Sequence, residues 1–141
     1  MTARQYLEQY REANRKIKRC REELENETLL MDAVRSLSDN DGMPHGSGIS
    51  KPTEDKAIRL ADKRMRLADA MVEAIRIRQD VFDTIMLLGG LEADVLVERY
   101  INLKTWENVC KAVNYSWLPV RNAWHRGEAR IEEIINTRSN K

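Results

Sequence analysis

Apolar positions recur at helical intervals along most of the chain. Tyr6, Tyr10, Ala13, Ile17, Cys20, Leu24, Met31 and Val34 advance in alternating steps of three and four residues, interrupted at Glu27. That is a heptad seam, and it predicts one long helix over about 3–37, buried against another helix. Glu27 is the polar residue on the seam. It reads either as a pin for the helix register or as a partly exposed carboxylate near an edge, and the second is expected.

A second helical pattern runs over about 54–88 and carries two seams. Ile58, Ala61, Met65, Ala68, Val72, Ile75, Phe82 and Met86 form one; Leu60, Leu67, Met71, Ala74, Val81, Ile85 and Leu88 form the other beside it. One partner helix covers about one seam, so this wide face should also meet a second surface: the C-terminal module, another subunit, or both. Between the two helices the text becomes Gly-, Ser-, Pro- and Asp-rich over 38–53, which predicts a mobile loop. His45 within it is expected to be solvent-exposed. A flexible connection joining two long helices favours an antiparallel hairpin, with arms of roughly 50 Å at the helical rise. Gly89-Gly90 should end the second helix and act as a hinge. The expected domains are therefore a hairpin over 1–89 and a separate module over 90–141.

In that last module, Trp106, Val109, Cys110 and Val113 share one stripe of a helix that Thr105 can cap. Asn114 stands where the chain must turn, and it tolerates the left-handed conformation well. Ser116 can cap the next helix, and Pro119 falls in its first turn, where a missing N–H costs little. Val120, Ala123 or Trp124, Gly127 and Ile131 then share one face, turned toward the preceding stripe. Arg121, Asn122, His125 and Arg126 are expected to point away. Arg can grip guanine O6/N7 and Asn adenine N6/N7, while basic neighbours hold phosphates. Together with Lys104, Thr105 and Trp117 these make the expected DNA-binding set. Trp117 is either a wedge on a thymine methyl or sugar or cover for the core, and core cover is favoured.

Charge refines this picture little: 24 Lys and Arg against 23 Asp and Glu leave a net charge of +1. The distribution matters more, since Lys104, Lys111, Arg121, Arg126 and Arg130 outnumber Glu107 and Glu128 across the reader. The basic run Arg15, Lys16, Lys18, Arg19 and Arg21 reads as a solvated flank. Cys20 and Cys110, with His45 and His125, do not have zinc-site spacing, and two free cysteines with no secretory segment point to a reducing cytoplasm. No apolar run is long enough for a membrane span. No phosphate-binding loop, nucleophile elbow or HExxH motif is present, so neither enzyme activity nor a cofactor is expected, and Glu132-Glu133 reads as a helix flank.

The run YINLKTWENVCKAVNYSWLPVRNAWHRGEARI resembles the C-terminal region of bacterial sigma factors, which reads the promoter −35 element. It is similar also to the sigma-like helix-turn-helix of phage ArpU/RinA-like transcription regulators. Arg99, Tyr100, Thr105, Trp106, Val109, Ser116, Val120, Arg121 and Arg126 carry the resemblance, which covers the last third of the chain. The MPHGSGIS stretch resembles a loop of small phage proteins that have a similar N-terminal helix.

The periodicities predict an all-α protein, a long antiparallel helical hairpin, and the resemblance adds a sigma-like helix-turn-helix after it. The resemblance also implies a phage or prophage transcription regulator that binds double-stranded DNA. The hairpin would form a homodimer or contact RNA polymerase. No counterpart of the sigma segment that holds the −10 element is visible, so a complete sigma factor is not expected. The competing expectations are an oligomeric DNA-packaging subunit of the small-terminase kind, and a protein-docking module built on Trp117, Leu118 and Trp124.

Overall fold

The computed structural model describes residues 1–39 and 51–140, and all regular structure among them is helical. Helix α1 spans Ala3–Asp39 and α2 spans Lys51–Met86; α3 spans Gly90–Leu96, α4 Trp106–Val113 and α5 Trp117–Ser139. A π-helical turn, Val97–Ile101, continues directly from α3. The loop expected over 38–53 is shorter at both ends, since α1 reaches Asp39 and α2 begins at Lys51. Its remaining part, 40–50 with His45, lies outside the described residues.

The chain divides into two compact units, one made of 1–15 with 75–141 and the other of 16–74. The boundary expected at Gly89-Gly90 is thus not where the structure divides. Both glycines do adopt positive φ, 65° and 60°, and they turn the chain from α2 into α3. What binds the two sides of that turn is apolar packing. Tyr6 and Leu7 from α1, Val81, Ile85 and Leu88 around the end of α2, Leu96, Tyr100, and Ile131 of α5 share one buried cluster. Residues on both sides of the glycines lose their water together, which welds the turn rather than freeing it.

Helix α1 starts on a reciprocal cap. Gln5 N–H donates to Thr2 Oγ1 (3.2 Å), and Thr2 N–H donates to Gln5 Oε1 (2.9 Å), satisfying two otherwise orphaned donors. Within the first unit, α1 and α2 pair antiparallel, with Tyr6 beside Asp80 and Thr84 and Asn14 beside Arg78. A polar knot forms at the first of these contacts. The Tyr6 hydroxyl donates to Asp80 Oδ2 (2.5 Å) and lies 2.8 Å from the fully buried Thr84 Oγ1, which also accepts from Arg138 Nη1 (3.0 Å). Burial first, and then the Asp80 carboxylate, push the Tyr6 phenol above its ordinary pKa.

The second unit is α1 from Lys16 onward with α2 up to Ala74. Ile17 and Cys20 of the predicted α1 seam are buried, and Leu24 and Met31 are half-buried. Glu27 departs from expectation: it is only 3% exposed, and one carboxylate oxygen takes a 2.6 Å ion pair from Lys63 of α2. The other oxygen has no hydrogen-bond partner. A carboxylate so far from water persists because Lys63 reaches in to it, so Glu27 is a cross-helix contact and not an edge residue. Of the two α2 seams, Leu60, Leu67 and Met71 face inward to varying depth and Ala74 is buried, whereas Ile58, Met65 and Val72 stand in solvent.

Candidate nucleic-acid interface

Thr105 caps α4 as its position suggests: its hydroxyl accepts from Asn108 N–H at 3.3 Å. The helix ends at Asn114, whose φ of 60° and ψ of 39° put it in the left-handed region, and Tyr115 N–H returns to the Cys110 carbonyl at 3.2 Å. Ser116 then precedes α5 in an extended conformation without a side-chain capping bond. The result is helix, three-residue turn, helix. Val95, Val109, Val120 and Ala123 hold the two helices against α3 in a second buried cluster, with Trp106, Cys110, Val113 and Trp124 packed around it.

Trp124 joins this cluster to the larger core. Its ring lies 4.4 Å from Trp106 and 4.7 Å from His125, with the Arg4 guanidinium 4.9 Å above it. Its indole N–H donates to the Tyr100 hydroxyl (3.3 Å), which in turn donates to Glu128 Oε1 (3.0 Å). Glu128 also receives Arg4 at 3.1 Å. Burial drives the Tyr100 phenol up to about 12; the Trp124 N–H pulls the other way, and the Glu128 carboxylate adds to the rise.

A further departure lies in the π-helical turn. Asn102 N–H reaches the Val97 carbonyl at 2.9 Å, and Leu103 follows with φ at 56°, a conformation a branched side chain seldom adopts. The turn lets Arg99 donate to the Lys104 carbonyl (2.9 Å) while its guanidinium lies 4.6 Å from the Trp106 ring centre. Lys104 is ion-paired with Glu98, and that contact holds the Glu98 carboxyl below its ordinary range. Lys104 therefore spends its charge inside the protein.

The exposed face of α5 separates the expected contacts into two groups. Arg121 and Asn122 are adjacent and exposed, and neither makes a side-chain hydrogen bond or ion pair among the described residues. His125, one turn further on, is exposed and stacked on Trp124. Arg126 instead turns back to α3, its Nε 3.1 Å from Glu92 Oε1, and Arg130 takes the other Glu92 oxygen at 3.4 Å. Glu92 lies 34 positions from Arg126 in the chain, and no local spacing signals the contact. Further along the exposed face the charge reverses at Glu132 and Glu133. On α5, among the described residues, the arginine without an ion pair is thus in the first turns, and those further along are paired with Glu92 or Asp80.

Trp117 begins α5 and leans edge-on against Trp106 at 5.3 Å, yet nearly half of it stays exposed. Cover of the core describes one edge of the ring and leaves the other free. Tyr115 and Leu118 beside it are more exposed still. With Cys110 and the stems of Glu107 and Lys111, Trp106 and Trp117 line a shallow apolar groove on the outer side of α4. The local signal for this groove is the run of large apolar residues at the turn, where the docking patch of Trp117, Leu118 and Trp124 is expected; of these three the groove takes in Trp117 alone. No protein family, curated protein or solved structure matches the chain.

Proposed function

We propose that this protein is a sequence-specific DNA-binding transcription regulator that places the first turns of α5 in the major groove. The observation that carries the reading is the pairing of Arg121 with Asn122. Both are exposed and unspent near the start of a helix whose other face is fixed by the fully buried Val120 and Ala123. Neighbouring Arg and Asn at such a position offer bidentate contacts to guanine and adenine on a rigid support. In this reading Thr105 and the start of α4 would meet a phosphate beside the groove, and His125 would extend the face by one turn. A cytoplasmic site of action follows from this role, with promoter DNA and RNA polymerase as partners and a phage or prophage as the source, in line with the sequence resemblance.

A second reading is favoured by one specific observation, the exposed Tyr115, Trp117 and Leu118 beside the apolar groove of α4. Such a patch suits a protein partner. Selection from a random duplex library at low salt, followed by fluorescence anisotropy across a salt series, separates the two. DNA reading predicts an enriched motif and affinity that falls steeply with salt. Failure to retain any duplex at low salt refutes it.

A further inference from the structure

We infer that the exposed seam of α2 in the second unit is a parallel coiled-coil interface with a second copy of this chain. Ile58, Met65 and Val72 are 59%, 68% and 65% exposed, although residues of this type are usually withdrawn from water. They stand seven residues apart, with Ala61 and Ala68 midway between them. That is a strict heptad, with large residues at the three a positions and alanine at the two d positions between them, on a helix whose neighbouring seam already faces α1. Beside the large residues a shallow groove is lined by Leu24 and Met31 of α1 and by Ala61, Arg64, Met65 and Ala68 of α2, with Arg64 Nη1 donating to Met31 Sδ at 3.4 Å. Knobs and the hollow that accepts them are therefore carried by the same surface. A two-fold interface requires this, because each copy offers the other what it receives.

The flanking charges choose the orientation. In this register Asp55, Asp62 and Asp69 occupy e positions, and Ala57, Arg64 and Met71 occupy g positions, with all three aspartates and Arg64 exposed. An antiparallel pair sets e against e′ and so lines aspartate against aspartate, with the exposed Arg59 and Arg66 at b positions, one step further from the seam. A parallel pair sets each g residue against the e′ residue five positions on, which brings Arg64 to Asp69 of the other copy, twice per dimer. One arrangement repels and the other attracts. Nothing in this pairing depends on DNA binding, which its test does not use.

Sedimentation equilibrium of the full chain at micromolar concentration should give a dimer. Met65→Glu should give a monomer whose helical circular dichroism and cooperative melting are retained. Arg64→Asp and Asp69→Arg should each weaken the dimer at least tenfold, and the two together should bring it back to within about threefold of the wild type. Rescue by the exchanged pair separates a lost contact from a damaged fold. In a Cys20→Ala, Cys110→Ala background, Ile58→Cys and Val72→Cys should each form a disulfide-linked dimer alone. A wild-type monomer, a larger ring, a dimer insensitive to Met65→Glu, or cross-linking only when the two cysteine variants are mixed would each overturn the proposal.

Discussion

Arg121 and Arg126 stand five residues apart on one helix, and sequence alone gives both the same role. The structure gives them different ones, and that difference can be measured. Among the described residues Arg121 has no intramolecular partner to lose, so Arg121→Ala should leave folding stability almost unchanged, as surface substitutions do within roughly 0.5 kcal/mol. Its cost should fall on binding: a bidentate base contact is worth about 1–3 kcal/mol of discrimination, a loss of roughly five- to 150-fold at tenfold per 1.4 kcal/mol. Asn122→Ala should act similarly at a neighbouring base pair. Arg126 must first release Glu92, which it holds at 3.1 Å beside Arg130. Arg126→Ala should therefore cost at most the roughly 0–1 kcal/mol of a surface ion pair in stability and little in sequence preference. Anisotropy titrations against the selected duplex and against single-base variants of it, with urea unfolding in parallel, read both quantities. Should Arg121→Ala bind within twofold of wild type while Arg126→Ala loses specificity, the assignment of the reading face is wrong.

Lys63→Met leaves Glu27 buried without its ion-pair partner, so the urea midpoint should drop; adding Glu27→Met should recover it, and no recovery would mean the pair is not what spans the helices. The Tyr100 phenol is pushed up to about 12 in the fold, whereas in the unfolded chain it ionises near its ordinary value of 10.0. Its contribution is full below pH 10 and is lost as the pH climbs toward 12, on the order of 2 kcal/mol; chemical denaturation of wild type and Tyr100→Phe should differ in slope across that window, and parallel slopes would refute the assignment. At Gly127 a Cβ would come within 3.0 Å of the buried Leu96 Cδ1, so Gly127→Val should destabilise by about 1–3 kcal/mol through overpacking, visible as a lowered urea midpoint.

Local features were legible in the sequence because local rules produce them. Thr105 caps, Asn114 turns left-handed, and the Val120, Ala123, Gly127, Ile131 face is buried, each following from residue type and helical spacing. The reciprocal cap of Thr2 and Gln5 was equally available, being a plain T-x-x-Q pattern at a helix start. What spacing could not supply was the choice between equivalents. Two adjacent seams on α2 have the same periodicity, and nothing in their text says that α1 takes the Leu60 and Leu67 side. Glu27 looked like an edge residue because Lys63, 36 positions on, is invisible to a helical window. The π-helical turn escaped for a related reason: Leu103 at positive φ contradicts its own local preference and is held there by contacts around it.

Those long-range contacts bear directly on how a reading helix could work here. Helix α5 is tied to the rest of its unit along its length, by Trp124 to Tyr100, by Arg130 to the Leu88 carbonyl (3.1 Å) and by Arg138 to Thr84 (3.0 Å). A reader swinging on Gly89-Gly90 would have to break the Leu88, Leu96 and Ile131 packing and these bonds together. The backbone near the start of α5 is therefore fixed before any ligand arrives, and the ordering entropy still to be lost on binding is that of the exposed side chains themselves. The proposed base reading, by so few unspent side chains, would depend on that rigidity. For the same reason a substitution such as Gly127→Val, buried on the opposite face from Arg121, should disturb recognition by tilting the helix even though it touches no surface that a duplex could meet.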